Sequence, residues 1–244
     1  MSQTILYDLP TKEPCASWSL NPWEARMILN YKKIDYKTEW TEYPDVAPKL
    51  KSFGIPPNDK NDPGYFMDYT IPAIRYEDGT YSMDSWKIAQ ELEKRYPSPS
   101  LHLDDPVVVK VRDITQQLLR LLGANILAKI AQILPERSAE YFYRTRKEMF
   151  GMTLDEFEKV NGGEQSWEAA KEPSKELAGL LKESGGPFFL GETVSYADFI
   201  FVTFLEFLKR SDGETGDLFS RFVAQDKSFL TLYEACGKWL ERDN

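Results

Sequence analysis

What this chain of 244 residues has little of already restricts its chemistry. It carries two cysteines, Cys15 and Cys236, far apart in sequence, which excludes a disulfide framework. Its single histidine, His102, leaves too few soft or imidazole ligands for a transition-metal site and at most one base for a serine or cysteine hydrolase. Positive charge is short as well: 30 Lys and Arg stand against 39 Asp and Glu, a net charge of −9. Such a surface repels phosphate, so neither a nucleic-acid binder nor a polybasic membrane-surface protein is expected. No apolar run approaches a membrane span, and the opening "MSQTILYDLPTKEP" has no signal-peptide core. There is no internal repeat. The expectation from these absences is a reduced, cytoplasmic, globular protein with no metal and no membrane partner.

Apolar residues are not scarce. At 42% of the chain, with 14% aromatic, they suffice for real cores and exclude disorder. "QTILYDLP" reads as a strand ending at Pro10, "NPWEARMILNYKKI" as a helix, "DYKTEWTEYP" as a second strand and "DVAPKLKSFG" as a short helix. A Pro/Asp/Asn-rich loop follows, "IPPNDKNDPGYFMDY", of a length that usually serves function. "TIPAIRYEDGTYSM" predicts a hairpin with a two-residue type I′ turn at Asp78-Gly79, and "DSWKIAQELEKRYP" a helix ended by Pro97. From Val107 the texture becomes helical, in five segments. The fold class expected is an α/β domain over 1–97, a Pro/Ser-rich linker over 98–106 and an all-α domain over 107–244.

Three places combine residues suited to holding a small peptide. In "SLNPWE", Asn21 reads as an N-cap, Pro22 as the first helical residue and Glu24 as the closing member of a capping box. Ser19 then sits beside free N–H groups and a positive dipole end, a setting that favours an anion such as a thiolate. In "YTIPAI", Pro72 opens a strand; either it lies at an edge, or a cis Ile71–Pro72 bond turns the Ile71 backbone outward, where it could pair with a peptide. In "SMDSWKIAQEL", Asp84 and Ser85 start another helix, as simple caps or as partners of a ligand's ammonium and carboxylate. Together the three describe a site for a peptide with one amino-acid end and one thiol.

The order of elements, "SLNPWEAR", "TIPAI", the helix-opening "DS" and the helical second half resemble a glutathione transferase over nearly the whole chain. The stretch "FFLGETVSYADFIF" adds an S-x-x-D capping box, Ser195 with Asp198, which that family uses to start a buried helix. Within the superfamily, "W-S-x-N-x-W" running into "R-x-x-L-N-Y-K", with "TEWTEYPD" and the long loop, resembles the fungal etherase-like class, relatives of bacterial lignin β-etherases. That class often has Pro where this chain has Leu20.

The resemblance implies a thioredoxin-like first domain, an all-helical second domain, a homodimer and glutathione as co-substrate. It implies that Ser19 holds the catalytic hydroxyl, that Ile71 and Pro72 meet the cysteinyl unit, and that Asp84 and Ser85 hold the γ-glutamyl end. Lys49 or Lys51 would meet the glycine carboxylate. A hydrophobic, wood- or xenobiotic-derived aromatic substrate would lie against Trp18, Leu20, Trp23, Leu119, Leu122 and Ile126. Tyr7, Cys15 and Ser17 rank behind Ser19 as the group serving the thiol. A polyphenol-binding ligandin without turnover, and a regulatory protein on the same fold, are the readings from other classes.

Overall fold

The computed structural model describes residues 3–61, 65–212 and 217–243. The first half is built on β1 (Thr4–Asp8), α1 (Leu20–Tyr31), β2 (Tyr36–Trp40), α2 (Tyr43–Ser52), β3 (Ala73–Arg75), β4 (Tyr81–Met83) and α3 (Ser85–Arg95). The strands form one sheet in the order β2-β1-β3-β4. β1 pairs parallel with β2, Leu6 opposite Thr38, and antiparallel with β3, Leu6 opposite Ile74. As an inner strand covered on both faces, β1 is buried throughout, which is why "TILYD" reads as a nearly unbroken apolar run. This mixed sheet with its helices is the expected thioredoxin-like unit.

Among the described residues the second half holds seven α-helices: α4 (Pro106–Ile133), α5 (Glu136–Phe150), α6 (Leu154–Asn161), α7 (Glu164–Ser184), α8 (Tyr196–Ser211), α9 (Asp217–Val223) and α10 (Lys227–Cys236), the last followed by a 3-10 turn at Gly237–Trp239. α6 and α9 add to the five expected segments; each is short, and only α6 carries its own signal, a Thr153–Glu156 capping box. α8 is the hub. It packs on α4, α9 and α10, and on α1 of the first half. Its "ADFIFVTFLEFL" is apolar on every side because it is covered on every side. The Ser195 N–H and hydroxyl both donate to Asp198, at 2.7 and 3.1 Å, and the Phe189 N–H donates to the other carboxylate oxygen at 2.8 Å.

Two local expectations are corrected. Helix α1 begins at Leu20, with Ser19 and not Asn21 at the cap position, and Glu24 is buried instead of closing a capping box. Pro22 did not fix the start, because every N–H of the first helical turn lacks an intrahelical acceptor and proline is tolerated throughout that turn. The hairpin is present, but its strands are joined through residues 76–80, with the Gly79 N–H donating to the Tyr76 carbonyl at 3.0 Å. Gly79 has φ +85° whereas Asp78 does not reach positive φ, so the turn is not type I′. Asp78 instead binds the Thr80 N–H and hydroxyl and the Arg95 guanidinium.

Candidate active site

The start of α1 places a hydroxyl next to unpaired backbone donors. Ser19 is partly exposed, in extended conformation, and its carbonyl accepts the Trp23 N–H at 3.1 Å while its side chain makes no capping bond. The hydroxyl is therefore free to donate elsewhere. Leu20 and Asn21, next in the chain, line a cavity of about 720 Å³ between the two halves. Ser19 itself is not among the lining residues.

The other two anchors are joined to each other. Ile71–Pro72 is a cis peptide, and the Pro72 carbonyl accepts the Asp84 N–H at 3.1 Å. Among the described residues no hydrogen bond reaches the Ile71 backbone, although its side chain is buried. Asp84 has φ +84°, an uncommon conformation for a residue with a Cβ, and its Oδ1 accepts the Trp86 and Lys87 N–H groups at 3.0 and 3.1 Å. Both Asp84 and Ser85 line the cavity. Lys51 does not: it is exposed, 5.3 Å from the Tyr69 ring centroid, while Lys49 is held by Glu39 and Thr41 at 2.9 Å each.

The expected apolar wall divides. Leu20 and Leu119 line the cavity. Trp18, Trp23, Leu122 and Ile126 are buried in the core instead, Trp18 against Phe207 at a ring separation of 6.2 Å. On these helices apolar residues crowd more than one face, so periodicity alone cannot tell a cavity wall from a core. In their place the cavity takes Trp86, Arg112 and Gln116, with the Arg112 guanidinium 4.7 Å from the Trp86 ring centroid.

The rivals of Ser19 are all engaged otherwise. Ser17 is fully buried and donates to Asp8 at 2.7 Å; Asp8 also binds Arg26 at 2.8 Å. Cys15 has its thiol pKa pushed up by burial and by the carboxylates of Glu13 and Asp8, the opposite of an activated thiolate. Tyr7 is buried beside Phe53, and burial above all, with Glu39, drives its phenol far above the usual range. None of the three lines the cavity.

One cavity residue was read from sequence only as a cap. Glu24 is 7% exposed, and its Oε2 accepts the Tyr196 hydroxyl at 2.6 Å. Burial pushes its carboxyl up to about 7, against hydrogen bonds from Tyr196 and Ser85 that pull it down, with Asp84 adding a smaller upward push. The signal was present: Glu24 stands three and four residues before Met27 and Ile28, on the face they bury.

The chain is similar to known proteins over nearly its whole length. Residues 18–95 match the model for the glutathione S-transferase N-terminal domain, and residues 111–239 that for the C-terminal domain. The glutathione S-transferase-like protein ustS of Aspergillus flavus is 34% identical, over 92% of this chain and 86% of its own. Glutathione transferase GSTFuA2 of Phanerochaete chrysosporium superposes with a TM-score of 0.85 at 27% identity, covering 100% of both chains. A glutathione S-transferase of Ceriporiopsis subvermispora, solved in complex with glutathione, gives 0.85 at 29% identity over 98% of each. The chain belongs to the glutathione S-transferase family.

Proposed function

We propose that this chain is a serine-type glutathione transferase of the fungal etherase-like class, working as a homodimer in the cytoplasm. The observation that carries the serine assignment is the Ser19 hydroxyl. It stands at the start of α1 with no capping bond of its own, while Ser17, Cys15 and Tyr7 are committed or unfavourably shifted. Ser19 would donate to the glutathione thiolate, Ile71 would offer its unpaired backbone to the cysteinyl unit, and Asp84 with Ser85 would hold the γ-glutamyl end.

The magnitudes suffice. A free thiol titrates near about 8.5, and lowering it by about two units requires roughly 2.7 kcal/mol. A hydrogen bond to a charged group contributes about 1.5–3 kcal/mol. The end of α1 adds about 0.3–1 kcal/mol. No general base is needed. The thiol proton passes to solvent, and the thiolate attacks an electrophilic carbon of an aromatic compound, forming a C–S bond as the leaving group departs, a phenolate in the case of ether cleavage. With a peroxide it attacks an oxygen, the O–O bond breaks to release an alcohol, and a second glutathione converts the sulfenic acid to the disulfide with loss of water. Leu20, Leu119 and Trp86 suit an aromatic body; Arg112 and Gln116 favour one with polar substituents.

An ultraviolet difference titration of bound glutathione against pH tests this. Wild type should form thiolate well below the free value, and Ser19→Ala should not. Equal titration in both proteins would remove Ser19 from the mechanism and bring the ligandin reading forward.

A further inference from the structure

The buried acids of this molecule differ in what neutralises them. Asp8 has Arg26 at 2.8 Å, Glu206 has Arg210 at 2.6 Å, and Asp212 has Lys129 at 2.5 Å. Asp198 has backbone N–H donors from Phe189 and Ser195 at the head of α8. Glu24 has neither. Among the described residues no Lys or Arg lies within ion-pair distance of it, and its donors are the neutral hydroxyls of Tyr196 and Ser85. Burying a carboxylate without a cation is costly, and perturbed acids that line a cleft cluster at functional sites.

The cavity shows what is missing. Glu24, Asp84 and Ser85 line it together, so two of the four carboxylates on its wall, with Asp59 and Asp113 the others, come from α1 and the cap of α3. Asp84 spends Oδ1 on capping α3 and keeps only Oδ2 for other partners. Thr115 of α4 lines the same cavity; it is 2% exposed, and its hydroxyl has no hydrogen-bond partner. A cationic group with several N–H donors would satisfy all three.

We propose that Glu24 is the principal acceptor for the ammonium group of the bound amino-acid end, with Asp84 and the Thr115 hydroxyl completing its coordination. This rests on the glutathione reading, in which that ammonium belongs to the γ-glutamyl unit. Ammonium binding then requires Glu24 to be ionised, and Tyr196 of α8 helps to hold it so. The other charged groups on the cavity wall are Asp59, Lys87 of α3, and Arg112, Asp113 and Arg120 of α4; Arg112 is paired with Asp113.

The test uses S-methylglutathione, whose blocked thiol removes thiolate formation from the result, and its des-amino analogue. Calorimetric titrations would be run at pH 5.5 and 7.5. Wild type should bind S-methylglutathione roughly tenfold more tightly at the higher pH, as expected for gaining one charge-assisted contact. The des-amino analogue should show no such gain, and Glu24→Gln should lose it. Tyr196→Phe, which removes the hydroxyl that favours the carboxylate, should move the gain to higher pH; this variant and the two-ligand comparison in wild type decide the matter if Glu24→Gln does not fold. Wild type that prefers the amine equally at both pH values, or a Glu24→Gln protein that keeps the gain, overturns the proposal while leaving the glutathione reading standing. Wild type that binds neither ligand overturns both.

Discussion

Ser17 and Ser19 are two residues apart and have opposite surroundings. Ser17 completes a buried group in which Asp8 takes hydrogen bonds from its hydroxyl and from Arg26, whose guanidinium also lies 5.6 Å from the Trp23 ring centroid. Ser19, at the rim of α1, completes nothing in the folded chain. Ser17→Ala should therefore cost about 1–3 kcal/mol, the penalty for stripping a donor from a buried carboxylate, whereas Ser19→Ala should cost well under 1 kcal/mol. Urea denaturation of both variants checks this; equal losses would mean that the Ser19 hydroxyl supports the fold. Sequence did place both hydroxyls before the helix. It could not separate them, because what distinguishes them is Asp8, which only the packing of β1 beside α1 brings to Ser17.

At the scale of elements, the segment at 98–106 is more than a connector. The Lys32 Nζ, buried at the end of α1, donates to Glu93 at 2.6 Å and to the carbonyls of Tyr96 and Pro99 at 2.6 and 2.7 Å. Glu93 in turn accepts from Ser100 and the Leu101 N–H, and the Leu101 carbonyl accepts the Tyr196 N–H at 2.8 Å. One ammonium thus ties α1, α3 and the segment that leads to α4 and α8. Lys32→Met should lower stability by about 3 kcal/mol, since it leaves a partly buried carboxylate and two carbonyls short of a donor. Thermal melting with unchanged far-ultraviolet circular dichroism is the measurement; a shift within error would show the tie to be dispensable. Composition marked the segment as rich in proline and serine. Its anchoring was illegible, because Lys32 reads as an ordinary surface lysine until three acceptors from distant residues surround it.

At the scale of the molecule, Glu24 on α1, Ser85 on α3 and Tyr196 on α8 join the two halves beside the cavity. Burial raises the Glu24 carboxyl from 4.5 to about 7. Over that interval the folded chain keeps a proton that the unfolded chain has released, so stability falls as pH rises, and the loss is complete above about 7. The shift corresponds to a loss on the order of 3 kcal/mol. Glu24→Gln cannot ionise, so the stability of wild type relative to this variant should decline between pH 5 and 7.5 in the absence of ligand. Parallel curves from chemical denaturation at the two pH values would place the Glu24 titration at its ordinary position and remove the effect.

By itself the sequence determined the order of elements in the first half and the change from α/β to helical texture, because those follow from local periodicity and, at α8, from capping; the short helices α6 and α9, the cap of α1 and the type of the hairpin turn it did not. The Ser195–Asp198 box is the clearest case, its bonds lying within one helical turn. Only the tertiary structure decided which serine stays free, which aromatic residues are core and which face the cavity, and that an acid written like a helix cap is a buried group shared by both halves. Those outcomes depend on burial and on partners far away in sequence, such as the 172 positions between Glu24 and Tyr196, and no local pattern encodes them.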